Sequence, residues 1–168
     1  MKTIGIILAA LALGQSSEVV GKVETTFDKK ANFAALRTYS WAPGYNAQRA
    51  DAHKMIVAAC EAEMVKSGFT RVETGADVTI AYYTVTSTYV DVKALDKAQK
   101  AGAPGGTAPR SSVGRLVVIM RAGSSMTQQL WSASTREFVD PDPVKLDDTI
   151  RHAAAQLFDT YPGRKPKR

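Results

Sequence analysis

The residues able to do chemistry are few, and their spacing excludes most of what they could do. His53 and His152 are the two histidines and Cys60 the one cysteine. Their separations match no C-x-x-C, H-x-x-x-H or H-E-x-x-H pattern, so no zinc-type ligand set is expected. Asp140 and Asp142 alternate with Pro141 and Pro143, which reads as entry into a helix rather than as a pair of catalytic carboxylates. Gly123-Ser124-Ser125 lacks the G-x-S-x-G elbow of a nucleophilic serine, and neither histidine is placed beside a serine by the sequence. Cys60 falls on the apolar stripe of a predicted helix, where a thiol is buried and inert. The sequence therefore predicts no catalytic residue, no metal and no cofactor.

Binding chemistry is better represented. Gly102 to Thr107 is glycine-rich, but it lacks the G-K-[S/T] of a phosphate cradle, and Pro104 removes an amide such a cradle would use. Tyr39, Trp41, Tyr82, Tyr83, Tyr89 and Trp131 lie on predicted strands, where aromatics either pack a core or form a stacking platform. Tyr83, Tyr89 and Trp131 are the candidates for the outward-facing set. Arg164, Lys165, Lys167 and Arg168 form a basic tail suited to anionic surfaces.

The elements that must position these residues follow from periodicity. Val19–Phe27 and Thr38–Trp41 read as strands, the second stopped by Pro43-Gly44. Asp51 is the expected N-cap of a helix running to about Lys66, with Gly68 as its left-handed stop. Asp77–Val92 alternates β-branched and aromatic residues on both faces, the pattern of a central strand. Lys93–Ser112 reads as a mobile loop, Gly114–Arg121 and Leu130–Ala133 as strands. A last helix follows Pro143, with Ile150, Ala154, Leu157, Phe158 and Tyr161 on one face. The predicted order is β-β-α-β-β-β-α, an α+β fold whose antiparallel sheet is covered on one face by two helices.

Composition agrees with one such domain. The chain has 168 residues, 45% of them apolar and 23% charged. The net charge of +6 is concentrated at the ends: without Lys2 and the four tail residues, 17 basic side chains face 16 acidic ones. A nucleic-acid face would be spread through the fold, so no nucleic-acid partner is expected. Lys2, the apolar run Ile4–Leu13 and the small and polar residues Gly14 to Ser17 have the order of a secretory signal over residues 1–17. Gln15 stands where a lipoprotein signal places its acylated cysteine. No stretch reaches the ~20 apolar residues of a spanning helix. The expected organisation is a leader 1–17, one domain 18–163 with its loop at 93–112, and the tail 164–168, exported to the periplasm or beyond, with outer-membrane association as the alternative.

Several motifs resemble, in order, a bacterial envelope family known as domain of unknown function 4136, whose members are commonly predicted lipoproteins. Phe33, Leu36, Thr38, Tyr39, Ser40, Trp41 and Pro43 resemble its "F..(Y/L).TY.W.P" opening. Gly68-Phe69 resembles "L..KGF", and Ala76 to Tyr82 resembles "ADF.V.Y". Gly114 to Val118, Leu130 to Ala133 and Phe158 to Pro162 resemble the late strands and the "..FPP" ending. The acylated cysteine is absent, Met120-Arg121 stands where an acid is common, and Tyr161 replaces phenylalanine. The resemblance covers about Val19 to Gly163 and implies a fold and a compartment, but no activity.

These readings lead to a soluble, non-enzymatic binding or assembly module of the cell envelope, with an envelope protein or a small ligand as partner. Two alternatives stand beside it. One is a hydrolase or transferase with a site assembled from scattered residues; the other is a protein held to anionic envelope surfaces by its tail.

Overall fold

The computed structural model describes residues 23–42, 47, 49–90, 92–101, 110–125, 127–135 and 143–164. Six strands and three α-helices follow one another as β1 (Glu24–Phe27), β2 (Thr38–Trp41), α1 (Ala50–Lys66), β3 (Thr70–Arg71), β4 (Val78–Val90), α2 (Val92–Lys100), β5 (Arg110–Ala122), β6 (Gln129–Ser134) and α3 (Pro143–Asp159). A 3-10 turn, Phe33–Ala35, lies between β1 and β2. One sheet holds all six strands in the order β1-β6-β5-β4-β2-β3.

The sheet is mixed, not antiparallel as the sequence reading had it. β2 runs parallel to both β3 and β4, and the remaining pairs are antiparallel. The reason is α1: a helix of 17 residues returns the chain to the end of the sheet where β2 began, so the strands after it run the same way. The order of elements also gains β3 and α2. Lys93–Ser112 is not one loop, since its first part is helix α2 and Arg110–Ser112 already belong to β5. Val92, Leu95 and Ala98 recur at helical spacing in front of the glycine-rich run, a signal outweighed by that run.

Alternation decides which side chains meet the helices. Val78, Ile80 and Tyr82 of β4, Leu116, Val118 and Met120 of β5, and Trp131 and Ala133 of β6 point to one face and are buried. Ile56, Cys60 and Met64 of α1 and Ile150, Ala154, Leu157 and Phe158 of α3 close over them in a single core. Asp51 is inside the first turn of α1 rather than at its cap; Arg49 holds the cap position and pairs with the Asp51 carboxylate at 2.6 Å. The other end is as expected. Gly68 has φ +88°, its amide bonds Val65 O at 2.9 Å, and the Phe69 amide bonds Met64 O at 3.0 Å, the paired closure of a Schellman motif.

β4 and β5 are paired over 13 residues each, far beyond their neighbours. β2 meets β4 only at Val78–Ile80, and β6 follows β5 no further than Val117 before Thr135 closes the ladder. The Thr135 amide donates to Leu116 O at 3.0 Å, and its hydroxyl accepts from the Leu116 amide at 3.2 Å. Beyond that point Val85–Val90 and Arg110–Arg115 continue as a two-stranded arm of about 20 Å, and α2 follows directly at its end.

Candidate functional site

The chemically capable residues are each engaged separately. Tyr82 Oη lies 2.6 Å from His53 Nδ1 and 2.9 Å from the Ala47 amide. The Ala47 amide donates to this hydroxyl, and the His53 imidazole is its second hydrogen-bond partner. His53 is therefore part of a half-buried network. Burial raises the Tyr82 phenol above its usual range, against the lowering effect of the Ala47 hydrogen bond. Trp41 packs edge-on to Tyr82 and donates its indole N–H to Glu61 Oε1 at 3.0 Å. The same oxygen pairs with Arg71 at 2.6 Å.

Cys60 is fully buried, and that burial, reinforced by Glu63 and Glu61, pushes its thiol up to about 12. His152 is exposed on α3 with Nε2 3.1 Å from the Gln156 amide nitrogen. Among the described residues no three His, Cys, Asp or Glu side chains gather as a metal set. Asp140, Asp142 and the Gly102–Thr107 run lie outside the described residues.

The outward-facing aromatic set does not assemble as expected. Tyr83 sits on the helix-free face of β4, half-buried, opposite Val117 of β5. Trp131 lies on the other face: it is 0% exposed, with its ring centroid 5.3 Å from Phe158 and 5.7 Å from Tyr161. Its register explains this, because Trp131 pairs with Met120, whose neighbour Ile80 also points into the core. Tyr89 pairs with Ser111 near the end of the arm, and its side chain is outside those described.

The tail divides in a similar way. Arg164, expected to face anionic surfaces, is only 13% exposed, with Nη1 2.9 Å from Glu63 Oε2 and 3.2 Å from Asp159 Oδ1. Glu63 is itself buried and holds Lys66 through its second oxygen at 2.7 Å. Arg164 thus belongs to the fold as the counter-ion of a buried carboxylate. Lys165, Lys167 and Arg168 lie outside the described residues.

Three features remain that position side chains for contact. The first is the helix-free face, where Tyr83, Val117 and Ile119 are half-buried, Val85 is 51% exposed, and Ser132 and Thr26 continue the rows across β6 and β1. A sheet face left to water is normally polar, and the centre of this one is apolar. The β-branched residues on both faces of β4 were the sequence signal for it. The second is the arm with α2: of five large exposed hydrophobic residues among those described, Val85, Val90 and Val92 lie there. The third is a solvent-open groove of about 530 Å³ between α1 and α3, floored by Ala58, Ala59, Ala62 and Ala155. Asp147 on its rim is already paired with Arg151.

The family model described as "Domain of unknown function (DUF4136)" matches residues 23–163. No curated protein matches the sequence. Among solved structures, a PDZ domain protein from Parabacteroides distasonis is similar over 89% of this chain, with a TM-score of 0.60 and 15% identity. This chain spans 37% of that protein. Two structures of a PelC dodecamer from Paraburkholderia phytofirmans, one of them a single-residue variant, are similar over 88% of this chain and 99% of theirs. Both have a TM-score of 0.52 and 12% identity. At such identities the likeness is one of fold.

Proposed function

The chain belongs to the family described as domain of unknown function DUF4136, and from that premise we propose that it is an exported, non-enzymatic assembly module whose helix-free sheet face binds further copies of itself. The observation that carries this reading is the apolar centre of that face: the aromatic Tyr83 and the aliphatic Val85, Val117 and Ile119 form a continuous stripe along β4 and β5 where a solvated sheet would be polar. The stripe leads onto the arm, so a neighbouring copy can be gripped beyond the edge of the body. PelC, of the same fold, is described as a dodecamer, which supports self-association as a use of this architecture. Export rests on the leader-like order of residues 1–17. The non-enzymatic reading draws on the inert Cys60 thiol and on histidines bound up separately with Tyr82 and Gln156.

Sedimentation velocity of the full chain over a range of concentrations tests the reading. A discrete multimer is expected, and Val85→Asp with Ile119→Asp should convert it to monomer without loss of the folded circular-dichroism spectrum. A chain that stays monomeric at every concentration would overturn it.

A further inference from the structure

α2 is the most amphipathic of the three helices, and its charge is arranged in an unusual way for a helix meant to be packed into its own domain. Lys93, Lys97 and Lys100 occupy one stripe at i, i+4 and i+7, all exposed, against one acid, Asp96. Val92, Leu95 and Ala98 trace another at i, i+3 and i+6, with Val92 62% exposed and Leu95 and Ala98 half-buried. Val90, also exposed, stands beside Val92 at the end of the arm. The helix thus begins about 20 Å beyond the last strand that pairs β5 on its other side.

From this arrangement we infer that the end of the β4–β5 arm is a membrane-surface contact: α2 lies in the headgroup region of an anionic phospholipid bilayer, with Val90, Val92 and Leu95 towards the acyl chains and Lys93, Lys97 and Lys100 on the phosphates. The lysines sit on the side away from the apolar stripe. That is the geometry of a helix lying in a membrane interface, where long lysine stems reach back to the headgroups while the apolar side dips inward. A protein groove receiving the same apolar stripe would leave the lysines pointing away from its rims, so charge complementarity favours the bilayer over a second copy. Each lysine near an anionic leaflet contributes attraction that salt screens. One short tip holds weakly, and several tips on one assembly hold together by avidity. The contact is independent of self-association, because a monomer presents the same tip.

A polarity-sensitive fluorophore on Val92→Cys in the full chain reads this site alone, since Cys60 is buried and the probe reports only its own surroundings. Vesicles rich in phosphatidylglycerol should shift its emission to the blue, phosphatidylcholine vesicles should not, and added salt should reverse the shift. Lys93→Glu, Lys97→Glu and Lys100→Glu together should raise the lipid concentration needed at least about tenfold. The same probe on Ala58→Cys, exposed on α1, should stay unshifted, and removing residues 165–168 should change nothing. A Val92→Cys probe that ignores anionic vesicles overturns the inference, as does a shift that survives the three lysine reversals. A blue shift produced by raising protein concentration without lipid would instead make α2 a contact between copies and equally overturn it.

Discussion

Asp77 joins two parts of the chain through one exposed carboxylate. Its Oδ2 accepts the amides of Arg37 at 2.8 Å and Thr38 at 2.9 Å, and its own amide donates to Thr38 Oγ1 at 2.9 Å. Those backbone donors hold the carboxyl below the usual carboxylate range. Folding therefore favours the ionised form. The stabilisation is complete above the unfolded value of about 4 and is lost as pH falls through the lower folded value. Asp77→Ala should lower the thermal midpoint at neutral pH, and the gap from the parent chain should close below about pH 4. A gap that stays constant through acid would mean that the carboxylate's charge is not what matters there. Glu63 and Arg164 make the complementary case, a buried pair. Arg164→Ala leaves Glu63 with Lys66 alone and should cost about 3 kcal/mol in denaturant unfolding, whereas Glu63→Leu with Arg164→Leu should recover most of that loss.

At the scale of elements, the turn between β5 and β6 is fixed by contact. A Cβ on Gly123 would stand 1.8 Å from Ala76 O, and the Gly123 amide bonds Asp77 O at 2.7 Å. Gly123→Ala should destabilise the fold by about 2 kcal/mol through backbone displacement, measured by thermal or urea unfolding. The extents of α1 and α3 and the inward face of α3 were legible in the sequence from 3.6-residue periodicity and the ends at Gly68 and Pro143, whereas on α1 the acidic Glu63 is buried and the apolar Val65 is exposed. The sheet was less legible. Alternation within β6 groups Trp131 with Ala133, yet only the register to Met120 and Val118 decides that this pair lies under the helices. That register is a property of two strands together and is not written in either one. Parallel pairing of β2 with β4 escaped for a related reason, since direction is set by what α1 does between them. Arg164 read as tail because its partner, Glu63, lies a hundred residues earlier.

For the molecule as a whole, the arm is separable from the body. Val90 and Arg110 face each other across β4 and β5, so an Asn-Gly pair replacing residues 91–109 would close the hairpin with a type I′ turn. The shortened chain should unfold at the parent's midpoint, keep its helix-free face and its capacity to self-associate, and lose the lipid response. Loss of the fold itself would show that α2 supports the body. The body, for its part, is assembled from distant pieces. Among the described residues β1 pairs with β6 alone, with Glu24 set against Ser134, and the carboxylate of Glu63, held on one oxygen by Lys66, meets its second counter-ion at residue 164. On the ribosome, the first strand must wait for a partner synthesised more than a hundred residues later. The buried carboxylate on α1 has its full set of counter-ions only once the Arg164 guanidinium emerges. A nascent chain stopped before residue 129 should be cut throughout by protease, with no resistant fragment, because the structure that would protect its beginning has not yet been made.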